Sequence, residues 1–350
     1  MRVIDNRAIL LNLRDPEKVT DIIPKSKRLS GNKVLVNWGV DESHVLKNLN
    51  IKVPSPIEGQ YRWTGKHKPF DHQKTTSSFL TMNKRAFCFN EQGTGKTASA
   101  IWASDYLLRE GKINRVLVIC PLSIMDSAWR ADLFKFAMHR TVDVAYGTAE
   151  KRKKIIEQGA EYVVINYDGV EIVADEIANG GFDLIIADEA THYKNAQTRR
   201  WKVLNKLLKP NMWLWMMTGT PTPNDPTDAW ALAKLVESPY VNKTYTGFRE
   251  SVMMKIGQWK WLPRPESVEI VRHVLYPAVR YTRDECFDLP ETVFQTRKVS
   301  LTKEQKDHYD KMLKHYVTEL AQEGTITAVN EAVKLQKLVQ ISCGVVYGDD

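Results

Sequence analysis

The sequence predicts an α/β protein: a parallel sheet covered by helices on both faces, preceded by a small α+β domain. Three observations carry that prediction. Short apolar runs bounded by turn residues alternate with helix-like segments between residues 85 and 219, and such alternation builds a parallel sheet. The glycine-rich stretch "NEQGTGKT" (90–97) lies between one such run and one such helix. A further run, "LIIADE" (184–189), ends on two adjacent acids.

Residues 1–62 read β-α-β-α, through "RAILLNL", "PEKVTDIIP", "KVLVNWG" and "ESHVLKNL". "KVPSPIEGQ" (52–60), with two prolines and a glycine, reads as a linker. A domain this small buries little surface and is expected to dock on its neighbour. "PKSKR" (24–28) and Lys33 are basic, and Trp38 and Trp63 offer rings for stacking on DNA. A structural cap is the alternative, and both stay open at this point.

The run "RAFCFN" reads as a buried strand. "KTASAIWASDYLLRE" reads as a helix with Ala98, Ile101, Trp102, Asp105 and Leu108 on one stripe, stopped by Gly111. Strands follow at "RVLVICP" (115–121), "VDVAY" (142–146), "YVVIN" (162–166), "DLIIADE" (183–189) and "WLWMMTG" (213–219). The helix-like segments between them are "SIMDSAWRADLFKFA", "TAEKRKKIIEQG", "GVEIVADEIAN" and "QTRRWKVLNKLL". Parallel sheets bind ligands at the carboxyl ends of their strands. The glycine loop, Pro121, Asn166, Asp188 and Thr218 all fall at such ends.

The phosphate-loop pattern is G-x-x-x-x-G-K-[ST]; here Asn90 stands at the first glycine, and Gly95, Lys96 and Thr97 complete the end. Gly93 and Gly95 permit a tight turn. Gln92, Gly93, Thr94 and Gly95 can turn backbone amides, aided by the helix dipole, toward phosphate. Lys96 can reach the β/γ-phosphates, and the Thr97 hydroxyl can bind Mg²⁺. Nucleotide hydrolysis also needs one carboxylate for Mg²⁺ and another to orient the attacking water. Asp188 and Glu189 can divide those roles.

The chain has 350 residues, 43% of them hydrophobic, enough for packed cores in about two domains. No apolar run approaches the roughly 20 residues of a membrane span, and the N-terminus has no secretory pattern. Four scattered cysteines without a C-x-x-C pair predict reduced thiols and no zinc site. The eight histidines add no metal-ligand spacing. A soluble, cytoplasmic protein is expected, with no membrane partner. Net charge is +8, which suits a polyanionic partner such as nucleic acid. "KRKK" (151–154) and "TRRWK" (198–202) concentrate it, as solvated helix faces or as phosphate contacts. "YVNKTYTGFRESVMMKIGQWKWLPRP" (240–265) interleaves basic and aromatic residues. Trp259 and Trp261 in it are candidates for stacking on nucleic-acid bases, or alternatively buried anchors.

In order, the glycine loop, the acidic pair and "TGTP" (218–221) resemble the superfamily-two helicases, and in detail their Swi/Snf-type branch of DNA-dependent ATPases and translocases. The branch's loop, D-E-x-G-x-G-K-T, is similar to "NEQGTGKT". "VLVICPLSIMDSAWRADLFKF" (116–136) resembles its next motif, with Pro121, Leu122, Ser123 and Trp129 in place. "DEATHYKN" resembles its D-E-A-H box with the following Lys194–Asn195, Thr191 standing where the family has histidine. "TGTPTPNDPTDAWALAKLV" (218–236), "VLYPAVRYTRDECFDLPE" (274–291) and "VSLTKEQKDHYDKML" (299–313) continue the likeness, which spans about residues 67–345.

The resemblance implies a RecA-like phosphate-loop NTPase lobe that binds ATP and Mg²⁺ and, as a monomer, moves on DNA, duplex rather than single-stranded. It implies that Gln73 of "FDHQ" reads adenine and that Lys96 and Glu189 serve hydrolysis. Thr218, Gly219, Thr220 and Pro221 would pass the nucleotide state to DNA. Pro121, Leu122, Ser123, Asn166 and Tyr167 would touch its phosphate backbone, contacts that carry no sequence information. The expected division is an accessory domain at 1–62, the ATP-binding lobe at 63–238, an aromatic and basic insertion with linker at 239–298, and the start of a second lobe at 299–350.

Nothing after residue 300 alternates strand and helix at a length that builds a whole second lobe. The family's arginine fingers come from that lobe, so this chain is expected to be a fragment, weak or inactive alone. "TKEQ" (302–305) reads as a capping box opening a helix through Tyr309, Leu313, Tyr316 and Leu320. An RNA-directed helicase, or a module that binds nucleotide and DNA without turnover, remain the alternatives.

Overall fold

The computed structural model describes residues 1–222, 225–258, 260–287, 295–315, 317–320, 324–327 and 331–345. The chain divides into two compact units, 1–288 and 289–350.

In the first unit, β1 (Arg2–Ile4), β2 (Ala8–Asn12), β3 (Lys27–Arg28) and β4 (Lys33–Asn37) pair antiparallel in the order β1-β2-β4-β3. Alternate residues Ile9, Leu11, Val34 and Val36 pack with Val19 of α1 (Glu17–Thr20) and Leu46 of α2 (Val40–Asn48). The two longer strands and α2 match the sequence pattern. The edge strands β1 and β3 are too short to show a period.

This small sheet docks on the larger one. Lys47 Nζ donates to the Met82 carbonyl (3.0 Å), and Lys112 pairs with Asp41 at 2.5 Å. Trp38 is 3% exposed and its indole donates to the Pro54 carbonyl. Trp63 packs edge-on against Trp102. These two rings are therefore anchors of a cap, not surface platforms for DNA, and Arg28 of the basic patch pairs with Glu17.

His44, in the same contact, lies 2.9 Å from the Thr81 carbonyl and against Trp213. Burial lowers its pKa below the ordinary histidine value. The unfolded chain then binds the proton more readily, so stability is present above pH about 6.5 and is lost as pH falls below it. The expected slope from this group is at most about 1.4 kcal/mol per pH unit. Urea titrations at stepped pH should show the slope reduced in His44→Gln; an unchanged slope would contradict this assignment.

Next come α3 (Ile57–Gln60) and α4 (Asp71–Thr81), then the strands of the main sheet: β5 (Arg85–Cys88), β6 (Val116–Cys120), β7 (Val142–Ala145), β8 (Tyr162–Asn166), β9 (Leu184–Asp188) and β10 (Trp213–Met217). All six are those the sequence predicts. Every pairing among them is parallel.

Successive side chains alternate between two cores. Phe87, Ile119, Ile165, Ala187 and Met216 enter one. Ala86, Cys88, Val118, Ile186 and Trp215 enter the other. Because both faces are covered, the strands read as unbroken apolar runs. Residues from α5 (Lys96–Arg109) and α6 (Ala131–Phe136) complete the second core. The first is completed from α7 (Ala149–Glu157), α8 (Tyr167–Ile172), α9 (Ala174–Asn179), α10 (Arg199–Leu207) and α11 (Asp228–Val236). Among the described residues no helix is long and apolar enough to cross a membrane.

Beyond α11 lie α12 (Tyr245–Val252), the hairpin β11 (Met253–Lys255) and β12 (Trp261–Pro263), α13 (Ser267–Val274), β13 (Ala278–Val279) and α14 (Arg283–Cys286). β13 joins β5 in parallel and completes a seven-stranded sheet, β13-β5-β10-β9-β6-β8-β7. The second unit holds α15 (Lys303–His315), the hairpin β14 (Val317–Leu320) and β15 (Gly324–Thr327), and α16 (Glu331–Cys343). The capping box is present: Thr302 N donates to Gln305 Oε1 (2.9 Å) and Gln305 N to Thr302 Oγ1 (3.1 Å). The helix it opens ends at His315, and Met312 is its buried residue while Leu313 is 46% exposed. Tyr316 lies outside the described residues, and Leu320 belongs to β14.

Candidate functional site

Parallel register brings the carboxyl ends of the central strands level. Met217 sits beside both Cys88 and Asp188, and Cys120 beside Asn166. The glycine loop leaves β5 at that level and returns into α5. Gly93 and Gly95 both have left-handed φ, 84° and 82°, a region that costs other residues steric strain. A Cβ at Gly95 would overlap the Gln73 amide.

Gln73, 8% exposed on α4, accepts from Phe70 N through Oε1 (3.0 Å) and donates to the Thr94 carbonyl through Nε2 (3.2 Å). His72 Nε2 reaches the same carbonyl at 2.9 Å. Thr94 is buried and does not line the cleft that its neighbours form: its hydroxyl and N–H both donate to the Glu91 carbonyl, and its own carbonyl meets Gln73 and His72. Asn90, in place of a glycine, is also buried and donates to Thr76 Oγ1 at 2.8 Å. Its side chain ties the loop's entrance to α4.

Asp188 ends β9 and is 7% exposed. Its Oδ2 accepts from the Trp129 indole (2.9 Å) and its Oδ1 from Glu189 N (3.1 Å). Burial pushes its pKa up, the Trp129 hydrogen bond and Lys96 pulling the other way. Glu189 has φ 55°, unusual for a residue with a side chain. Its Oε2 lies 3.4 Å from the Thr218 hydroxyl, which in turn accepts from Thr220 N at 3.2 Å. A Cβ on Gly219 would stand 3.6 Å from Gln92 N. The "TGTP" stretch therefore touches both the glycine loop and the acidic pair.

These parts enclose a cleft of about 390 Å³ lined by Gln73, Gln92, Gly93, Gly95, Lys96, Thr97, Asp188 and Glu189. Glycine turn, ammonium, hydroxyl and two carboxylates in one cleft can hold a polyphosphate with a hard divalent cation on oxygen donors. Asp132, Lys135 and Phe136 of α6 line it too, and sequence reasoning assigned them no role. Burial raises the pKa of Asp132, with Lys135 opposing. The signal lay in the motif already quoted, whose last residues sit on the face of α6 turned to the cleft. A larger cavity of about 790 Å³, bounded by residues including Phe89, Asp225, Arg272 and Arg280, lacks the glycine loop. Chemistry rather than volume selects the smaller one.

The candidate nucleic-acid contacts divide. Leu122 and Ser123 are exposed at the end of β6, beside a half-buried Pro121. Asn166 is 9% exposed, its Oδ1 accepting from Arg152 at 2.9 Å. Tyr167 is 4% exposed, with its hydroxyl on the Asp188 carbonyl and 3.1 Å from that of Glu189. Hydrogen bonds inside the site turn these two side chains inward, away from any phosphate backbone at the surface. Trp261 is half-buried, with the Arg249 guanidinium 4.4 Å over its ring. Trp259 lies outside the described residues. The basic runs are largely paired within the fold, Arg152 buried, Lys153 with Glu176, Arg199 with Glu171 and Arg200 with Asp168.

A family model described as the SNF2-related domain matches residues 72–342. The chain is 28% identical over 299 residues to protein p41 of Acyrthosiphon pisum secondary endosymbiont phage 1, covering 81% of this chain and 65% of that protein. It is 27% identical over 270 residues to nuclear protein STH1/NPS1 of Saccharomyces cerevisiae, covering 71% of this chain and 20% of that one. In structure it is similar to the Sulfolobus solfataricus SWI2/SNF2 ATPase core in complex with dsDNA. The TM-score is 0.55 and identity 24%, over 80% of this chain and 59% of that chain; this likeness is one of fold. The chain spans less than two thirds of the length of each of these relatives.

Proposed function

The chain belongs to the SNF2-related domain family, and from that premise we propose that it is the ATP-binding part of a Swi/Snf-type translocase that couples ATP hydrolysis to movement on duplex DNA. The observation that carries this reading is the meeting of Gly93, Gly95, Lys96 and Thr97 with Asp188 and Glu189 in one cleft.

Gln73 selects adenine: each polar atom of its amide has one hydrogen bond made and one still available, a donor and an acceptor side by side. The loop amides and Lys96 hold the phosphates. Thr97 and Asp188 would hold Mg²⁺, which when bound would supply charge neutralisation for the phosphates. Glu189 orients water toward the γ-phosphorus and takes its proton as the bond to the β-phosphate oxygen breaks and ADP leaves with that electron pair. Thr218 to Pro221, touching both loop and Glu189, carry the nucleotide state outward. The backbone of DNA meets the exposed turn at Leu122 and Ser123, with Trp261 on a further face.

The four-part division, 1–62, 63–238, 239–298 and 299–350, is proposed as accessory cap, ATP-binding lobe, DNA-facing insertion with linker, and the first part of a second lobe. The Sulfolobus solfataricus SWI2/SNF2 ATPase core is bound to dsDNA, which supports duplex DNA over RNA here. Release of a third strand from triplex DNA tests the reading. Weak ATP-dependent release is expected from this chain alone, absent in Glu189→Gln. Strand separation of RNA duplexes without triplex release would overturn it.

A further inference from the structure

Two turns that leave the sheet at neighbouring strand ends each finish on the acidic pair. After β6, a 3₁₀ turn (Leu122–Ile124) runs directly into a π turn (Met125–Arg130). A π turn inserts a residue into helical winding and is frequent at functional sites. Leu122 at its start is 54% exposed, whereas Trp129 near its end is fully buried. Ser127 Oγ donates to the Ser123 carbonyl at 2.9 Å, tying the π turn to the 3₁₀ turn before it. Trp129 then gives its only side-chain donor to Asp188 Oδ2 at 2.9 Å.

After β8, Tyr167 performs the matching task on the backbone. Its hydroxyl donates to the Asp188 carbonyl, with that of Glu189 at 3.1 Å. Its ring is wedged between His192 (4.3 Å) and Tyr193 (5.4 Å). The bond it braces is the turn at which Glu189 adopts φ 55°. A side-chain-bearing residue persists in that region only where its surroundings over-determine it, and such positions cluster at functional sites.

We propose that Trp129 and Tyr167 are positioning residues for the metal-binding carboxylate, and that Trp129 is the link by which a phosphate backbone on the exposed Leu122–Ser123 turn acts on it. The inference rests on the reading of Asp188 as the Mg²⁺ ligand. Trp129 uses one lone pair of Oδ2 and Glu189 N one of Oδ1, which fixes the carboxylate plane and leaves the other lone pairs directed into the cleft. Partners of this kind behind a metal ligand govern metal affinity by about 10- to 100-fold. A backbone pressing on Leu122 and Ser123 moves the start of the same short turn whose end holds Asp188.

The test titrates Mg²⁺ into the protein with a fluorescent ATP analogue, with and without duplex DNA, for wild type, Trp129→Phe and Tyr167→Phe. Both substitutions keep an aromatic ring and delete the donor. In Trp129→Phe, nucleotide affinity without metal should be unchanged. The Mg²⁺ concentration for half-maximal binding should rise about 10- to 100-fold, and duplex DNA should no longer shift it. Tyr167→Phe should raise the Mg²⁺ requirement several-fold, and loses only one oxygen if the first variant does not fold. A folded variant with the wild-type Mg²⁺ requirement overturns the role of the residue it removes. A wild-type protein whose nucleotide binding ignores Mg²⁺ would instead sink the reading of Asp188 itself, and the inference with it.

Discussion

Lys96→Ala should lower ATP turnover by at least about 10²- to 10³-fold, the usual loss when one preorganised charge-stabilising group is removed from a transition state. Lys96 opens α5 directly after the left-handed Gly95, so its place is set by backbone, not by side-chain packing. It lies within electrostatic reach of Asp188, whose proton affinity it lowers. On the proposed reading, its ammonium between loop and acid pair would meet the charge that develops on the transferring phosphoryl group. Because it is only half-buried, the variant should keep its circular dichroism and melting temperature. Steady-state hydrolysis with each variant checked for folding makes the comparison. A loss smaller than tenfold would mean the ammonium does not face the phosphates.

The largest expected effect on stability belongs to a residue away from the chemistry. Asp105 of α5 is 2% exposed and receives Tyr61 Oη (2.5 Å), Arg140 Nε (2.5 Å) and His139 Nε2 (3.0 Å). Arg140 continues to Glu161 at 2.6 Å. One carboxylate thus ties the segment before α4, the end of α6 and the start of β8 to the helix that carries the glycine loop. Removing one partner of a buried ion pair strands the others, at a cost of about 3–5 kcal/mol. Asp105→Ala should lose that much in urea unfolding. Asp105→Asn, which still accepts hydrogen bonds, should lose less. A change below about 1 kcal/mol for Asp105→Ala would show that solvent or Glu161 replaces it.

What was legible in the sequence is local. The central strands are continuous apolar runs because both sheet faces are covered, and the acidic pair, glycine loop and capping box are spacings within a few residues. Asp105 fell on the predicted stripe of α5, yet no periodicity could show that Tyr61 and Arg140 meet there.

Illegible features depend on distant partners. β13 is two residues long, too short for a period, and is a strand only because β5 lies beside it. Whether a polar residue at a strand end faces water or the interior depends on what waits inside. Asn166 and Tyr167 turned inward because Arg152 and the carbonyls of the acidic pair receive them. For Trp38 and Trp63 the sequence leaves stacking on DNA and a structural cap both open, because what a ring packs against, Pro54 for one and Trp102 for the other, lies outside any local pattern. The π turn that delivers Trp129 to Asp188 has no sequence period of its own.

The most direct test of the account is the rate of ATP hydrolysis as duplex DNA is titrated into the protein. The account predicts low Mg²⁺-dependent turnover without DNA, rising saturably with duplex and not with RNA. Turnover that ignores duplex DNA while Mg²⁺ and ATP still bind would contradict the coupling between the cleft and the DNA-facing turn.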